Sequence, residues 1–158
     1  DILRFEGPMG TFFLREDDDA PIVLLASGTG FAPIKSIVEQ VIAKGRELSM
    51  ALYWGGRRPH DLYMNALAEQ WAATVPGFRY VPVVSDALPE DAWRGREGFV
   101  HRAVMDDLPD LSGHKVYACG SPAMVDAARA DFVERCGLPS DAFFADAFVT
   151  AADAARVA

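Results

Sequence analysis

The chain has 158 residues, 51% hydrophobic and 24% charged, the proportions of one soluble globular domain. Fifteen basic residues against twenty-three acidic ones give a net charge of −8, a field that repels nucleic-acid phosphates and anionic lipid. No apolar run reaches the roughly 20 residues of a membrane span, and no signal peptide is visible. Two cysteines, Cys119 and Cys136, make neither a disulfide framework nor a four-ligand metal site, so a reducing, cytoplasmic setting is expected.

Residues 1–14 hold two short apolar stretches around the turn signal Gly7-Pro8-Met9-Gly10 and read as the tail of something that precedes. Residues 15–20, with Glu16, Asp17, Asp18 and Asp19, read as a solvated connector without chemistry. A regular alternation then begins. Ile22 to Ala26 is a continuous apolar run, as in a parallel strand buried on both faces. Ser27-Gly28-Thr29-Gly30 punctuates it, and Ile34, Ile37, Val38, Val41 and Ile42 follow at helical spacing, with Gly45 as the stop. Leu48–Trp54 is the second strand and Gly55–Pro59 a loop. Asp61 is placed to cap a helix with the stripe Tyr63, Leu67, Trp71 and Val75.

Phe78–Val84 is the third strand, followed by a longer loop from Ser85 to Gly98 and a helix through Val100, Val104 and Leu108. Lys115–Cys119 is a fourth strand that runs into Gly120-Ser121-Pro122. A helix with Val125, Ala128, Phe132 and Val133 ends at Gly137, and Phe143–Phe148 is a fifth strand. Residues 151–158, rich in alanine, have little to bury and are expected to fray. Five strands alternating with four helices predict an α/β fold, a doubly wound five-stranded parallel sheet of order 3-2-1-4-5. That order sets the glycine-rich ends of strands 1 and 4 side by side at one crevice.

Gly28 and Gly30 lack a Cβ, so a pyrophosphate can approach the main chain; Thr29 offers a hydroxyl, and Pro33 fits a first helical turn. The spacing is not G-x-G-x-x-G, and a tight strand-to-helix turn explains the same glycines. The bare pattern leaves both explanations open. His60, His101 and His114 form no ligand spacing with the cysteines, so no zinc site is expected. There is also no Gly-x-Ser-x-Gly elbow of an α/β-hydrolase.

Ser27-Gly28-Thr29-Gly30-Phe31-Ala32-Pro33, paired with Cys119-Gly120-Ser121-Pro122, resembles the pyridine-nucleotide domain of the ferredoxin–NADP reductase superfamily. The likeness is closest to electron-transfer reductases of bacterial oxygenases and of CDP-6-deoxyhexose (glucoseen) biosynthesis. Gly7–Phe12 resembles the last strand of that family's flavin domain, and Trp54–Arg58 and Phe144–Phe148 also match the subgroup. The family's upstream Arg-x-Tyr-Ser flavin motif is absent. The resemblance implies residues 1–14 as the tail of a flavin-binding domain, 15–20 as connector and 21–150 as the NAD(P)-binding domain.

It further implies that Gly28, Thr29, Gly30 and Pro33, with Ser27, hold the pyrophosphate opposite Gly120, Ser121 and Pro122. Cys119 is then the residue against the nicotinamide, and Asp146 and Phe148 are the acidic residue and the flavin-covering aromatic. For Phe148, as for Phe143 and Phe144, a place in the core of the fifth strand is an equal alternative. The loops after strands 2 and 3 set the choice of dinucleotide. Relatives specific for NADPH have Ser-Arg where this chain has Ser85-Asp86, which favours NADH, with Arg57, Arg58, Arg94 and Arg96 as nearby cations. The implied parent passes hydride from NADH to FAD and electrons to a [2Fe–2S] ferredoxin domain or partner, neither group being held by this chain. An oxygenase or sugar-modifying enzyme lies downstream. A non-catalytic nucleotide-binding or regulatory module of the same fold is the competing expectation.

Overall fold

The computed structural model describes residues 12–147. Within them, β1 (Ile22–Ser27), β2 (Met50–Gly56), β3 (Phe78–Val84), β4 (Arg96–Glu97), β5 (Lys115–Gly120) and β6 (Phe143–Ala147) form one sheet of order β4-β3-β2-β1-β5-β6. Every neighbouring pair is parallel. The expected five strands are all present in their expected order. The sixth, two-residue β4 lies inside the stretch read as loop, held on Val83 and Val84 of β3. It also follows Pro82, which has no N–H to give and so suits a position where β4 has not begun.

β1 lies between β2 and β5, so Ile22 to Ala26 are all buried and the strand carries no polar alternation. Burying each aliphatic side chain there stabilises the fold by about 1.5–3 kcal/mol. Leu24 and Ala26 face α1 (Phe31–Ala43) and α2 (Asn65–Thr74), whose Phe31, Ile34, Val38 and Trp71 complete one core layer. Val23 and Leu25 face α3 (Val100–Asp107) and α4 (Pro122–Cys136), which contribute Val100, Val104, Val125 and Phe132 to the other. Helix α4 is framed as its sequence dictates. The Ser121 hydroxyl accepts from the Met124 N–H at 3.3 Å, Pro122 begins the first turn, and Gly137 ends the helix at φ +70°.

Two local expectations are corrected. Asp61 does not cap α2, which starts four residues later without a side-chain cap; its carboxylate instead accepts from the main-chain N–H groups of Arg57 and Arg58 at 3.0 and 2.9 Å. Gly55 and Gly56 belong to β2 rather than to the loop, because they pair with Val83 and Val84 of β3; a Cβ at Gly55 would lie 2.8 Å from Val100 and one at Gly56 2.9 Å from Asp61. The acidic run is solvent-exposed, and its carboxylates also meet cations. Glu16 pairs with Lys44 at 2.7 Å, Asp17 and Asp18 with Lys115 at 2.6 and 3.0 Å, and Asp19 with Arg46 at 3.0 Å. Gly7–Gly10, Phe148 and residues 151–158 lie outside the described residues.

Candidate functional site

The sheet order reverses between β1 and β5, so the loops after these two strands leave in opposite directions and open a crevice at their C-terminal ends. The crevice has a volume of about 1090 Å³. Drug-sized ligands occupy roughly 300–1,000 Å³, so this space suits a long, two-part molecule. Its floor is made by Ser27, Gly28 and Thr29 from one loop and Gly120 and Ser121 from the other. One hydrogen bond ties the loops together: the Ser121 N–H donates to the Ser27 hydroxyl at 3.0 Å.

The two glycines of the first loop differ in purpose. Gly28 has φ +51°, and a Cβ there would meet nothing within 4 Å, so its open side faces space that a ligand can fill. Its carbonyl accepts from the Trp54 indole at 3.0 Å, and Trp54 stacks on Phe31 with ring centres 4.1 Å apart. Tyr63, half exposed, stands edge-on to both rings. Gly30 is buried, and a Cβ on it would fall 2.0 Å from the Cys119 carbonyl oxygen. Its glycine is therefore required by the close approach of this loop to the end of β5, a demand separate from any contact with a phosphate. Helix α1 follows directly on a 3-10 turn, Gly28–Gly30, whose first two residues line the floor, and it has no side-chain cap, so its positive dipole end lies next to the loop.

Gly120, at φ +147°, answers a similar demand, since a Cβ would collide with Ser27. Cys119, just before it, is fully buried, and it is paired in register with Asp146 of β6. Burial, helped by the Asp146 carboxylate, pushes the Cys119 thiol up to about 12. It is a neutral packing group rather than a nucleophile. Pro33 and Pro122 lie within the first turns of α1 and α4, behind the walls rather than on them.

Arg57, Tyr63, Ser85, Phe99, His101 and Arg102 also line the crevice. Phe99 is 65% exposed and presents an apolar ring face to the crevice. It lies 6.2 Å from the His101 ring, stacked at 28°. His101 is buried, with Nε2 3.3 Å from an Asp131 carboxylate oxygen. Burial lowers its pKa and Asp131 opposes that shift, leaving a neutral imidazole at pH 7. Asp86 stands just beside the wall, its carboxylate 3.0 Å from the Arg57 guanidinium. Tyr63, Phe99 and Trp54 were not singled out as site residues from the sequence. The helical stripe expected from the sequence includes Tyr63, but Tyr63 precedes α2 and is 53% exposed.

Residues 24–130 match the family model of the oxidoreductase NAD-binding domain. The chain belongs to this family. It is 53% identical over 148 residues to the CDP-6-deoxy-L-threo-D-glycero-4-hexulose-3-dehydrase reductase of Yersinia pestis, covering 94% of this chain and 44% of that protein. To reductase component 1 of the terephthalate 1,2-dioxygenase of a Comamonas species it is 37% identical, over 95% of this chain and 44% of the relative. Among solved structures, the reductase GcoB of Amycolatopsis superposes with a TM-score of 0.81 at 36% identity, covering 91% of this chain and 43% of that one. The chain thus spans under half the length of each of these three proteins. Among the described residues, no helix is long and apolar enough to cross a membrane.

Proposed function

We propose that this chain is the NADH-binding part of a flavin-dependent reductase, laying the dinucleotide along the crevice so that its nicotinamide end meets an FAD held by a flavin domain. Electrons then pass to a [2Fe–2S] centre and on to an oxygenase or a sugar-modifying enzyme in the cytoplasm. The observation that carries this reading is the convergence of two glycine-rich loops, tied by Ser27 and Ser121, beside the uncapped start of α1.

NADH supplies a hydride and FAD accepts it, so no acid or base of this chain has to move a proton. What the residues do is bind and orient. The main chain at Gly28 and the Thr29 hydroxyl receive the pyrophosphate, against the first turn of α1. Phe99 and Tyr63 offer exposed ring faces to an adenine or ribose, and Ser85 with Asp86 and Arg57 meets the adenosine ribose. Cys119, sealed behind Gly120, shapes the nicotinamide end with an uncharged sulfur, and Asp146 stands beside it; Phe148 keeps the flavin-covering role that the resemblance gives it.

Titration of the chain with NADH in a calorimeter tests the reading. Saturable one-to-one binding is expected, with Gly28→Ala weakening it at least tenfold, since the added methyl group occupies the open side of the loop. Absence of binding by the folded wild-type chain would overturn it.

A further inference from the structure

The loop from Gly28 to Gly30 is fastened at three points, and each fastening fixes something different. The Ser27 hydroxyl accepts from the Ser121 N–H at 3.0 Å, which sets the gap between the two loops. Gly30 rests on the main chain of Cys119 and Gly120, which sets the height of the loop over β5. The third fastening is the Trp54 indole, whose Nε1–H donates to the Gly28 carbonyl at 3.0 Å. Trp54 is fully buried in β2, in register with Ala26. Its ring lies on Phe31, the first residue of α1, with centres 4.1 Å apart and planes 9° from parallel. Trp71 and Tyr63 pack around the same pair, so the indole has little freedom to turn.

What the indole fixes is the direction of one peptide. In a trans peptide the C=O and the N–H point to opposite sides. With the Gly28 carbonyl drawn inward to Trp54, the Thr29 N–H is turned outward, where Gly28 and Thr29 line the crevice. Thr29 is the second residue of the 3-10 turn and has no carbonyl within that turn to bond, so this N–H is left for a ligand. Gly28, at φ +51°, would otherwise let the peptide flip at little cost. The flipped peptide would aim a carbonyl oxygen, not a donor, at an anion.

We propose that Trp54 is a positioning residue for the pyrophosphate of the dinucleotide: its indole holds the Gly28 carbonyl inward and so keeps the Thr29 N–H aimed at phosphate oxygens. The proposal rests on the reading of the crevice as an NADH site. Trp54 itself touches no ligand. It selects one of two loop states beforehand, so binding does not have to. Arg57 and Arg102 also line the crevice, both exposed, and they attract an anion without orienting that peptide. Their pull weakens with salt, while a short main-chain contact is screened less.

Trp54→Phe keeps a ring on Phe31 and removes the N–H donor; Trp71→Phe takes the same volume from the same core layer without touching the Gly28 carbonyl. Dissociation constants for NADH, ADP-ribose and adenosine are measured for the wild type and both variants, at low and raised salt, beside thermal melts. Trp54→Phe should weaken NADH and ADP-ribose about tenfold at both salt levels and leave adenosine, which has no phosphate, within about twofold. Trp71→Phe should leave all three unmoved. An ADP-ribose affinity unchanged in Trp54→Phe, a loss shared equally by adenosine or by Trp71→Phe, or a loss that vanishes at raised salt overturns the proposal, while NADH binding by the wild type still supports the site. Should Trp54→Phe not fold, amide NMR of the wild type decides. The Thr29 N–H signal should then move with ADP-ribose and not with adenosine, and the Trp54 indole proton should be protected from exchange. A Thr29 signal unmoved by ADP-ribose, or an indole proton that exchanges freely, overturns it. If the folded wild type binds neither NADH nor ADP-ribose, the reading of the crevice fails and the role of Trp54 with it.

Discussion

Gly28 and Gly30 stand two residues apart in one loop, and the same substitution should separate them. At Gly30 an alanine methyl group would be driven into the main chain of Cys119 and Gly120, with contacts of 2.0 to 2.8 Å. Main chain in a sheet cannot give way as a side chain can, so Gly30→Ala is expected to cost about 3 kcal/mol or more. For a chain of this size that lowers the melting temperature by roughly 6–12 °C. At Gly28 the methyl group meets no atom and the cost is that of the left-handed backbone, about 1–2 kcal/mol. Thermal melts of the two variants, set beside their NADH affinities, should show Gly30→Ala failing chiefly in stability and Gly28→Ala chiefly in binding. Equal melting temperatures would show that the Gly30 contact relaxes at no cost. The sequence predicts glycine at both positions but cannot say which one a ligand needs, because the answer depends on how close β5 comes to the loop.

The connector between Arg15 and Ala20 behaves as an element in its own right, clamped to the end of α1 by Lys44 and Arg46 and to the start of β5 by Lys115. The hydrogen bond from Lys44 holds the Glu16 carboxyl below its ordinary pKa, that from Lys115 does the same for Asp17, and the Ala20 N–H does so for Asp18. Further along, the Arg58 pair takes Asp91 down to about 2. A carboxyl with a lowered folded pKa adds stability above its unfolded value and loses it as the pH falls through the folded one. Stability should therefore begin to decline below about pH 6.5, where the unfolded chain protonates His101 and His114, which burial keeps neutral in the fold, and decline more steeply below about pH 4 as the paired carboxylates protonate. Lys115→Gln should make that acid decline shallower, as measured by urea midpoints at stepped pH; an unchanged slope would mean that the clamp does not form in solution. Strands and helices were legible because burial writes its own period, an unbroken apolar run in β1 and a helical stripe in α1. The clamp was not, since acidic runs look alike whether their cations are near or far. Strand β4 was hidden for a related reason: Arg96 and Glu97 are polar, and only main-chain partners on β3 make them a strand.

On the scale of the whole molecule, the sheet reversal brings Ser27, Gly28 and Thr29 together with Gly120 and Ser121 on one rim, and this was legible once the strand order was inferred. The exposed ring of Phe99 and the half-exposed ring of Tyr63 were not, because an aromatic letter carries no exposure with it. The described residues supply two thiols, both buried and both with raised pKa values, and no other redox-active group. The 158-residue chain is accordingly expected to bind NADH without passing its electrons to ferricyanide, and to gain that activity when a flavin domain is supplied. Ferricyanide reduction by the colourless chain at an ordinary reductase rate would contradict the division of labour proposed above. The Trp54 indole, hydrogen-bonded to the Gly28 carbonyl and stacked beneath Phe31, gives this rim a built-in light source. Its emission overlaps the absorption of a dihydronicotinamide ring, so a reduced dinucleotide lying over Gly28 would dim the protein's fluorescence and brighten its own, an optical record of occupancy that needs no label.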